Sequence, residues 1–340
     1  MIAQPTSTKR TSLIQNAQAI LRQRYRLRAG QKVLVFFDVP KESIGKIFAA
    51  AARRIGANVD TIRMGKKRFT PQFHQRIAEQ FKAGGYDLFI NALEALLTET
   101  DDRLRMVRDG QMPAGGGIAH APGIEESMLE IKVDYKKMDE DARKLLAALK
   151  HADEARVKTA LGTDLRIGIQ GRKFHDDATL RKNSMGNFPG GEAYCAPIED
   201  RAEGVMIADA SVGNGIGILP QPLRFEVEKG KIVEMGWLYH PAANSRLLRK
   251  IRETLFQDAG ASIVGELGIG LAPYPICGNL LQDEKVAGTI HVAFGNNDFF
   301  GGKNTSKSHV DFLVRDPELT IIYGGGRPPR VIMFEGQLLL

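Results

Sequence analysis

Cysteine and tryptophan are scarce in this 340-residue chain, which has two of the first, Cys195 and Cys277, and one of the second. Two cysteines build neither a disulfide framework nor a four-cysteine metal site. No run of 18 apolar residues occurs, so no transmembrane helix is expected. The opening stretch MIAQPTSTKRTSLIQNAQAI has no continuous apolar core of the secretory type, which makes a cytoplasmic location the expectation. Phosphate-binding signatures are missing as well. There is no G-x-G-x-x-G and no Walker A sequence, and the run Gly213-Asn214-Gly215-Ile216-Gly217 has the wrong spacing and reads as a turn. The 36 glycines follow no fixed period, which excludes a collagen-like chain. No basic-aromatic RNA motif appears, and the cations are spread along the chain. The net charge of +7 therefore reads as a mildly basic surface rather than a nucleic-acid interface.

At 43% hydrophobic and 26% charged, the chain has enough apolar surface for a core and enough length for two domains. Its first third alternates strand and helix signals. Lys32–Phe37 (KVLVFF), Val59–Met64 and Tyr86–Asn91 read as strands. Lys41–Ile55, with apolar residues at helical spacing, and Pro71–Phe81 read as helices. That order implies an α/β domain with a parallel sheet. Asp134–Thr159 carries the longest helical stripe. Beyond it come short strands at Leu165–Ile169, Gly204–Ala208, Leu223–Val227 and Lys231–Met235, a hairpin turn at Glu228-Lys229-Gly230, and a helix over Ser245–Gln257. The expected organisation is an α/β domain over 1–158 and an α+β, β-rich domain over 159–340.

The chemistry concentrates in the second half. His74, His120, His151, His175 and His240 have no acidic partner at ligand spacing and read as surface or packing histidines. In Ser308–Phe312 (SHVDF), His309 and Asp311 share one face of a strand, because side chains alternate with period two. His291 lies in the apolar run Gly288–Gly295, and the turn Gly301-Gly302-Lys303-Asn304 can bring the two strands together. Two histidines and a carboxylate suit zinc, manganese or non-haem iron. Glu266 sits in the glycine-rich apolar run Val264–Gly270, where a charge is expensive unless paired or bound to metal. Glu192 lies in Asn187–Pro197. Each glutamate is either a ligand or a solvated loop residue. Lys303 is either a substrate-neutralising cation or a solvated turn lysine. Cys195 points away from Glu192 in a regular strand and reads as packed rather than nucleophilic.

Four runs occur together, in order: NFPGGEAYCAPIED (187–200), GELGIG (265–270), DEKVAGTIHVAFG (283–295) and GGKNTSKSHVDF (301–312). They resemble the aminopeptidase T family of metallo-aminopeptidases. The resemblance implies a homodimeric hydrolase that binds two divalent ions (zinc, cobalt or manganese) and cleaves an N-terminal amino acid or a related amide with a metal-activated water. Carried over position by position, the metal ligands are Glu192, Glu266, His291, His309 and Asp311, with Glu284 in support. Where the family usually carries a tyrosine, seven residues after the histidine of G-T-x-H, this chain has Asp298. Asp298, Glu192 and Lys303 are the candidate catalytic residues, and Tyr194 or Tyr274 could stand in for the tyrosine. The 2,5-dihydroxypyridine dioxygenases are similar too and would imply a single ferrous ion. They have a histidine where this chain has Glu266 and lack the G-T-x-H histidine. A non-catalytic scaffold with a relic metal site is the third reading. The partners expected are a peptide or small amide, with no nucleic acid and no membrane.

Overall fold

The computed structural model describes residues 7–65, 69–99, 102, 105, 117–178, 185–243 and 245–340. The first six residues of the opening stretch lie outside them. The chain forms two compact units, Met1–Lys137 with Asp177–Gly190, and Met138–Asp176 with Gly191–Leu340. This differs from the single cut expected at 158/159: the chain passes to the second unit after Lys137, and Met185–Asn187 pair with the sheet of the first.

That sheet is parallel, in the order β2-β1-β3-β4-β8, formed by β1 (Lys32–Phe37), β2 (Asn58–Arg63), β3 (Leu88–Leu93), β4 (Gly117–Pro122) and β8 (Met185–Asn187). The crossover helices are Glu42–Ile55 and Pro71–Gly84, and a further helix, Ser7–Gln23, escaped the sequence reading. β1 and β3 are apolar and almost wholly buried, as strands of a sheet covered on both faces must be. Thr70 caps the helix Pro71–Gly84 by accepting the Phe73 amide. His74 is buried against Phe69 and Phe73 and lies 3.1 Å from Asp102, a neighbour too distant along the chain for spacing to show. The returning segment is held by Arg24, which is 1% exposed and donates to the carbonyls of Asp177 and Asn187, each at 2.6 Å.

The second unit contains two antiparallel sheets. The eight-stranded sheet runs β14-β13-β10-β6-β5-β18-β19-β20. Its strands are β5 (Ala152–Lys158), β6 (Asp164–Gly168), β10 (Ala202–Ala208), β13 (Leu223–Glu228), β14 (Lys231–Trp237), β18 (Glu318–Tyr323), β19 (Arg330–Phe334) and β20 (Gln337–Leu338). The seven-stranded sheet runs β12-β11-β17-β16-β15-β9-β7. It comprises β7 (His175–Asp176), β9 (Glu192–Cys195), β11 (Ser211–Val212), β12 (Gly217–Ile218), β15 (Val264–Gly270), β16 (Thr289–Gly295) and β17 (His309–Arg315). The sheets meet through Phe225, Phe294 and Phe312, whose ring centroids lie 4.8–5.8 Å apart.

The helical stripe expected over Asp134–Thr159 is only partly helix. The helix covers Tyr135–Leu149, His151 turns the backbone left-handed at φ 66°, and Ala152–Lys158 becomes β5. Pairing of β5 with both β6 and β18 overrides the local helical pattern. The hairpin turn falls where expected, with Lys229 and Gly230 both at positive φ. Among the described residues, no helix is long and apolar enough to cross a membrane.

Replacing Arg24 with Met keeps the bulk and leaves the Asp177 and Asn187 carbonyls without their donor. The expected cost is about 2–5 kcal/mol, from two charge-assisted bonds lost in a buried site. Chemical denaturation of Arg24→Met against the parent chain measures it.

Candidate metal centre

Alternation along three neighbouring strands builds the site. On β16, Val292 and Phe294 face the packed core, so His291 and Ala293 face the other side. On β17 the same alternation puts Phe312 in the core and His309 and Asp311 opposite it. The β16–β17 register sets Asp311 beside Ala293 and His309 beside Gly295. On β9, Glu192 pairs with Gly270 and Tyr194 with Gly268.

Glu266 reaches this face through an irregularity. Val264 pairs with Phe294, but the pairing then slips by one residue at Gly265, so that Glu266 meets Ala293. Without the slip Glu266 would oppose Val292 on the core face. A β-bulge re-aims a side chain in just this way. Gly265 suits it, because a Cβ there would lie 2.5 Å from the Gly295 carbonyl oxygen.

The result is two triads sharing one carboxylate. Glu192, Glu266 and His291 form the first, and Glu266, His309 and Asp311 the second; within each triad the potential ligand atoms lie within 4.8 Å of one another. His291 Nε2 is 3.3 Å from Glu192 Oε2 and 3.5 Å from Glu266 Oε1. His309 Nε2 is 3.1 Å from Glu266 Oε2 and 3.5 Å from Asp311 Oδ1. Glu266 thus turns one oxygen to each imidazole. His309 Nδ1 lies 2.7 Å from the Asn296 carbonyl, so Nδ1–H donates there and Nε2 is oriented into the cluster. His309 is the more open member, with its side chain 23% exposed, whereas His291 is fully buried. Room for the His291 ring comes from Gly268, where a Cβ would stand 1.9 Å from Nε2.

The electrostatics are those of an acidic cluster holding cations. Burial alone would lower the pKa of His291, but the carboxylates of Glu266, Glu192 and Asp311 outweigh it and raise it to about 9. Burial likewise opposes protonation of His309, and Asp311 and Glu266 push its pKa well above the usual imidazole value. Glu266 is driven the other way. Burial would raise its pKa, yet the two imidazoles bring it down to about 2. The residues fit a divalent cation. Neither ring nitrogen of the buried His291 has a hydrogen-bond partner in good geometry, although Nε2 faces two carboxylates. A cation between those oxygens and Nε2 would satisfy that nitrogen and both carboxylates.

The structure brings Glu192, Glu266, His291, His309 and Asp311 together and leaves two expected residues outside. Asp298 opens a short turn and is exposed, and Lys303 is exposed. Neither side chain pairs with the cluster among the described contacts. Lys303 acts through its backbone amide, which donates to Glu199 at 2.6 Å. Tyr194 lies on the cluster's side of β9, with its ring 5.7 Å from Phe300, while Tyr274 is buried. The Cys195 thiol is fully buried, and burial, with Glu266 nearby, pushes its pKa well above the ordinary value. It is unsuited to attack.

The sequence reading missed Lys285. It is completely buried and its ammonium bonds both Glu192 and Glu284. It holds one oxygen of Glu192, so that the other faces His291. A lysine flanked by an acid and an apolar run was a weak signal for this, because only the fold brings residue 192 to it. Glu284, read as support, does stand beside Lys285; its own pKa is raised, chiefly by burial.

Two outcomes are expected. At neutral pH the metal-free cluster holds protons on its imidazoles, so metal binding releases them. Affinity should rise as pH climbs from about 7 towards about 9, and calorimetry in two buffers of different ionisation enthalpy counts the protons. The same sign applies to stability. The protonated imidazole of His291 stabilises the metal-free fold fully below its unfolded pKa, and this contribution is lost as pH rises through about 9. Secondly, Gly268→Ala must displace the His291 ring. It should cost about 1–3 kcal/mol by overpacking and abolish stoichiometric metal binding, as read by denaturation and elemental analysis.

The sequence profile of the thermophilic metalloproteases (M29) matches residues 131–337. No curated protein matches the chain. Among solved structures, 2,5-dihydroxypyridine dioxygenase from Pseudomonas putida KT2440 is similar over 98% of each chain, at 18% identity and a TM-score of 0.74. Wild-type AmpT from Thermus thermophilus is similar over 97% of this chain and 99% of its own, at 18% identity and a TM-score of 0.68. These identities speak for the fold. The profile covers more than half of the chain, both triads included, and the chain belongs to the thermophilic metalloprotease family M29, whose members are metallo-aminopeptidase-like hydrolases.

Proposed function

We propose that this protein removes the N-terminal amino acid from a peptide, or hydrolyses a related small amide, with two divalent ions. The observation that carries the proposal is the sharing of Glu266 between two ligand triads. One carboxylate with an oxygen turned to each of two imidazoles suits a bridging ligand between paired ions. Glu192 and His291 would complete one ion's set, and His309 and Asp311 the other's. Zinc, cobalt or manganese suits this mixture of oxygen and imidazole donors. When bound, such ions supply Lewis acidity to a water molecule and to the scissile carbonyl.

The chain's own residues supply the rest. Lys285 holds Glu192 through one oxygen and offsets part of the buried negative charge. The Asn296 carbonyl holds the His309 ring in the tautomer that presents Nε2. His309 is the open edge of the cluster, so substrate approaches from its side. No tyrosine follows the G-T-x-H motif at the family's position, and the exposed Asp298 stands there instead. Among the chain's own residues, Tyr194 on the cluster's side of β9 would be the hydroxyl donor in that tyrosine's stead. A homodimer and a cytoplasmic location complete the reading.

A ferrous ring-cleaving dioxygenase is the second reading, favoured by the likeness in fold to the dihydroxypyridine enzyme. The donor set speaks against it, because a carboxylate at position 266 and an imidazole at 291 make two triads rather than one facial set of two histidines and a carboxylate.

The test is the purified protein with a panel of amino-acid p-nitroanilides and added zinc, cobalt or manganese. Expected are release of p-nitroaniline, about two metal ions per chain, and loss of both in His309→Ala. Oxygen uptake with dihydroxypyridines and one iron per chain would establish the second reading instead. Stoichiometric metal retained in His309→Ala would overturn the ligand assignment.

A further inference from the structure

Beside the cluster lies an open cleft of about 410 Å³, lined by Phe299, Phe300, His175, Ala196, Arg172 and Lys173. It shares a wall with the proposed metal centre. The rings of Phe299 and Phe300 lie 5.9 and 6.1 Å from the His309 imidazole, edge to face. On the other side, Phe300 meets Tyr194 at 5.7 Å and Tyr194 stacks on His175 at 5.7 Å. A row of rings therefore runs from the cluster's open member into the cleft.

Phe299 is 59% exposed. Its ring does not stand alone but lies 4.7 Å from that of Phe300 and lines the cleft with it, and contiguous exposed apolar surface of this kind marks binding sites. The turn that carries it is pinned at several points. The Asn297 amide donates to the Asn304 carbonyl at 3.1 Å, and the Asn304 amide to Asn297 Oδ1 at 2.8 Å. Asn304 Nδ2 reaches the carbonyls of Gly260 and Gly295 at 2.9 and 2.7 Å. Glu199 accepts the Lys303 amide, and Arg172 donates to the Gly301 carbonyl at 3.0 Å. The exposed ring is thus presented at little further cost in ordering on binding.

Of the two cationic side chains in the lining, Arg172 and Lys173, the first is compensated. Arg172 is paired with Glu199 at 2.5 Å, and His175 is kept towards its neutral form by burial and by Lys173. Lys173 is exposed. Apart from the Lys173 ammonium, which its exposure leaves in water, the lining consists of aromatic faces, Ala196 and glycine backbone, a surface suited to a flat uncharged ring. An aliphatic chain would fill the same space without the edge-to-face and offset contacts that paired rings gain.

We propose that this cleft takes the aromatic side chain of the substrate's N-terminal residue, packed on Phe299 and Phe300, and so makes the enzyme selective for phenylalanine-like over alanine-like substrates. The selectivity rests on the hydrolase reading, whereas the binding of a ring to the cleft does not. Two measurements keep them apart. The first uses metal-free protein and N-acetyl-L-phenylalaninamide, followed by saturation-transfer NMR. Ring protons should receive saturation in the parent chain, lose most of it in Phe299→Ala and regain it in Phe299→Tyr. Since Phe299 is exposed, these variants should fold, and a thermal melt checks that. The second compares kcat/KM for phenylalanine and alanine p-nitroanilides. Their ratio should fall roughly three- to tenfold in Phe299→Ala, the size of an aromatic pair. Equal ring saturation in parent and Phe299→Ala would overturn the cleft assignment, and an unchanged ratio would overturn the selectivity. Lost saturation with no hydrolysis of any p-nitroanilide would uphold ring binding and sink the hydrolase reading instead.

Discussion

One extra residue in β15 decides on which side of the sheet Glu266 stands. β15 is buried on both faces, so its glutamate faces either the aromatic core around Phe294 and Phe312 or the opposite, polar face. On the core side an ionised carboxylate would be left without partners at a prohibitive cost. The slip at Gly265 turns it to the other side, between His291 and His309, where it is held ionised with a pKa of about 2. The two triads exist because this single carboxylate reaches both.

Much of the surrounding architecture accommodates that arrangement. Gly268 has no side chain because the His291 ring occupies the place where one would be. Lys285 is buried whole to balance Glu192 and Glu284. Asn296 fixes the second imidazole from outside. An acidic cluster of this density is unfavourable by itself, and in the metal-free protein its cost is lessened by protons on the histidines. Protons and metal ions therefore compete for the same nitrogens, which couples metal occupancy to pH. The neighbouring turn follows another logic. Backbone amides and the Arg172–Glu199 pair hold it rigid, so that aromatic rings stand exposed at the edge of the cluster.

Much of this was legible before folding. β1 and β3 follow from apolar runs, β4 and β8 went unread, and the face shared by His309 and Asp311 follows from the period-two rule. The five-residue donor set followed from the resemblance to the metallo-aminopeptidases, motif by motif. What could not be read were features depending on partners distant in sequence. The helical stripe continues past Leu149, yet Ala152–Lys158 pairs as a strand between β6 and β18. Met185–Asn187 pair with β4 of the first sheet although Met138–Asp176 belong to the second unit, a return that no local pattern marks. Asp298 and Lys303 sat close to the motifs but stand exposed, because the turn is held through its backbone rather than through their side chains.

By itself, the sequence determined the order of α/β and β-rich parts, the residue types able to bind metal and the family to which they belong. These depend on side-chain chemistry and on local periodicity, both of which are written along the chain. Only the tertiary structure decided which carboxylate is shared, which oxygen faces which imidazole, and that a lysine stands beneath them. Those outcomes depend on strand register, and register is settled by the packing of whole sheets, where a slip of one residue moves a charge from one face to the other.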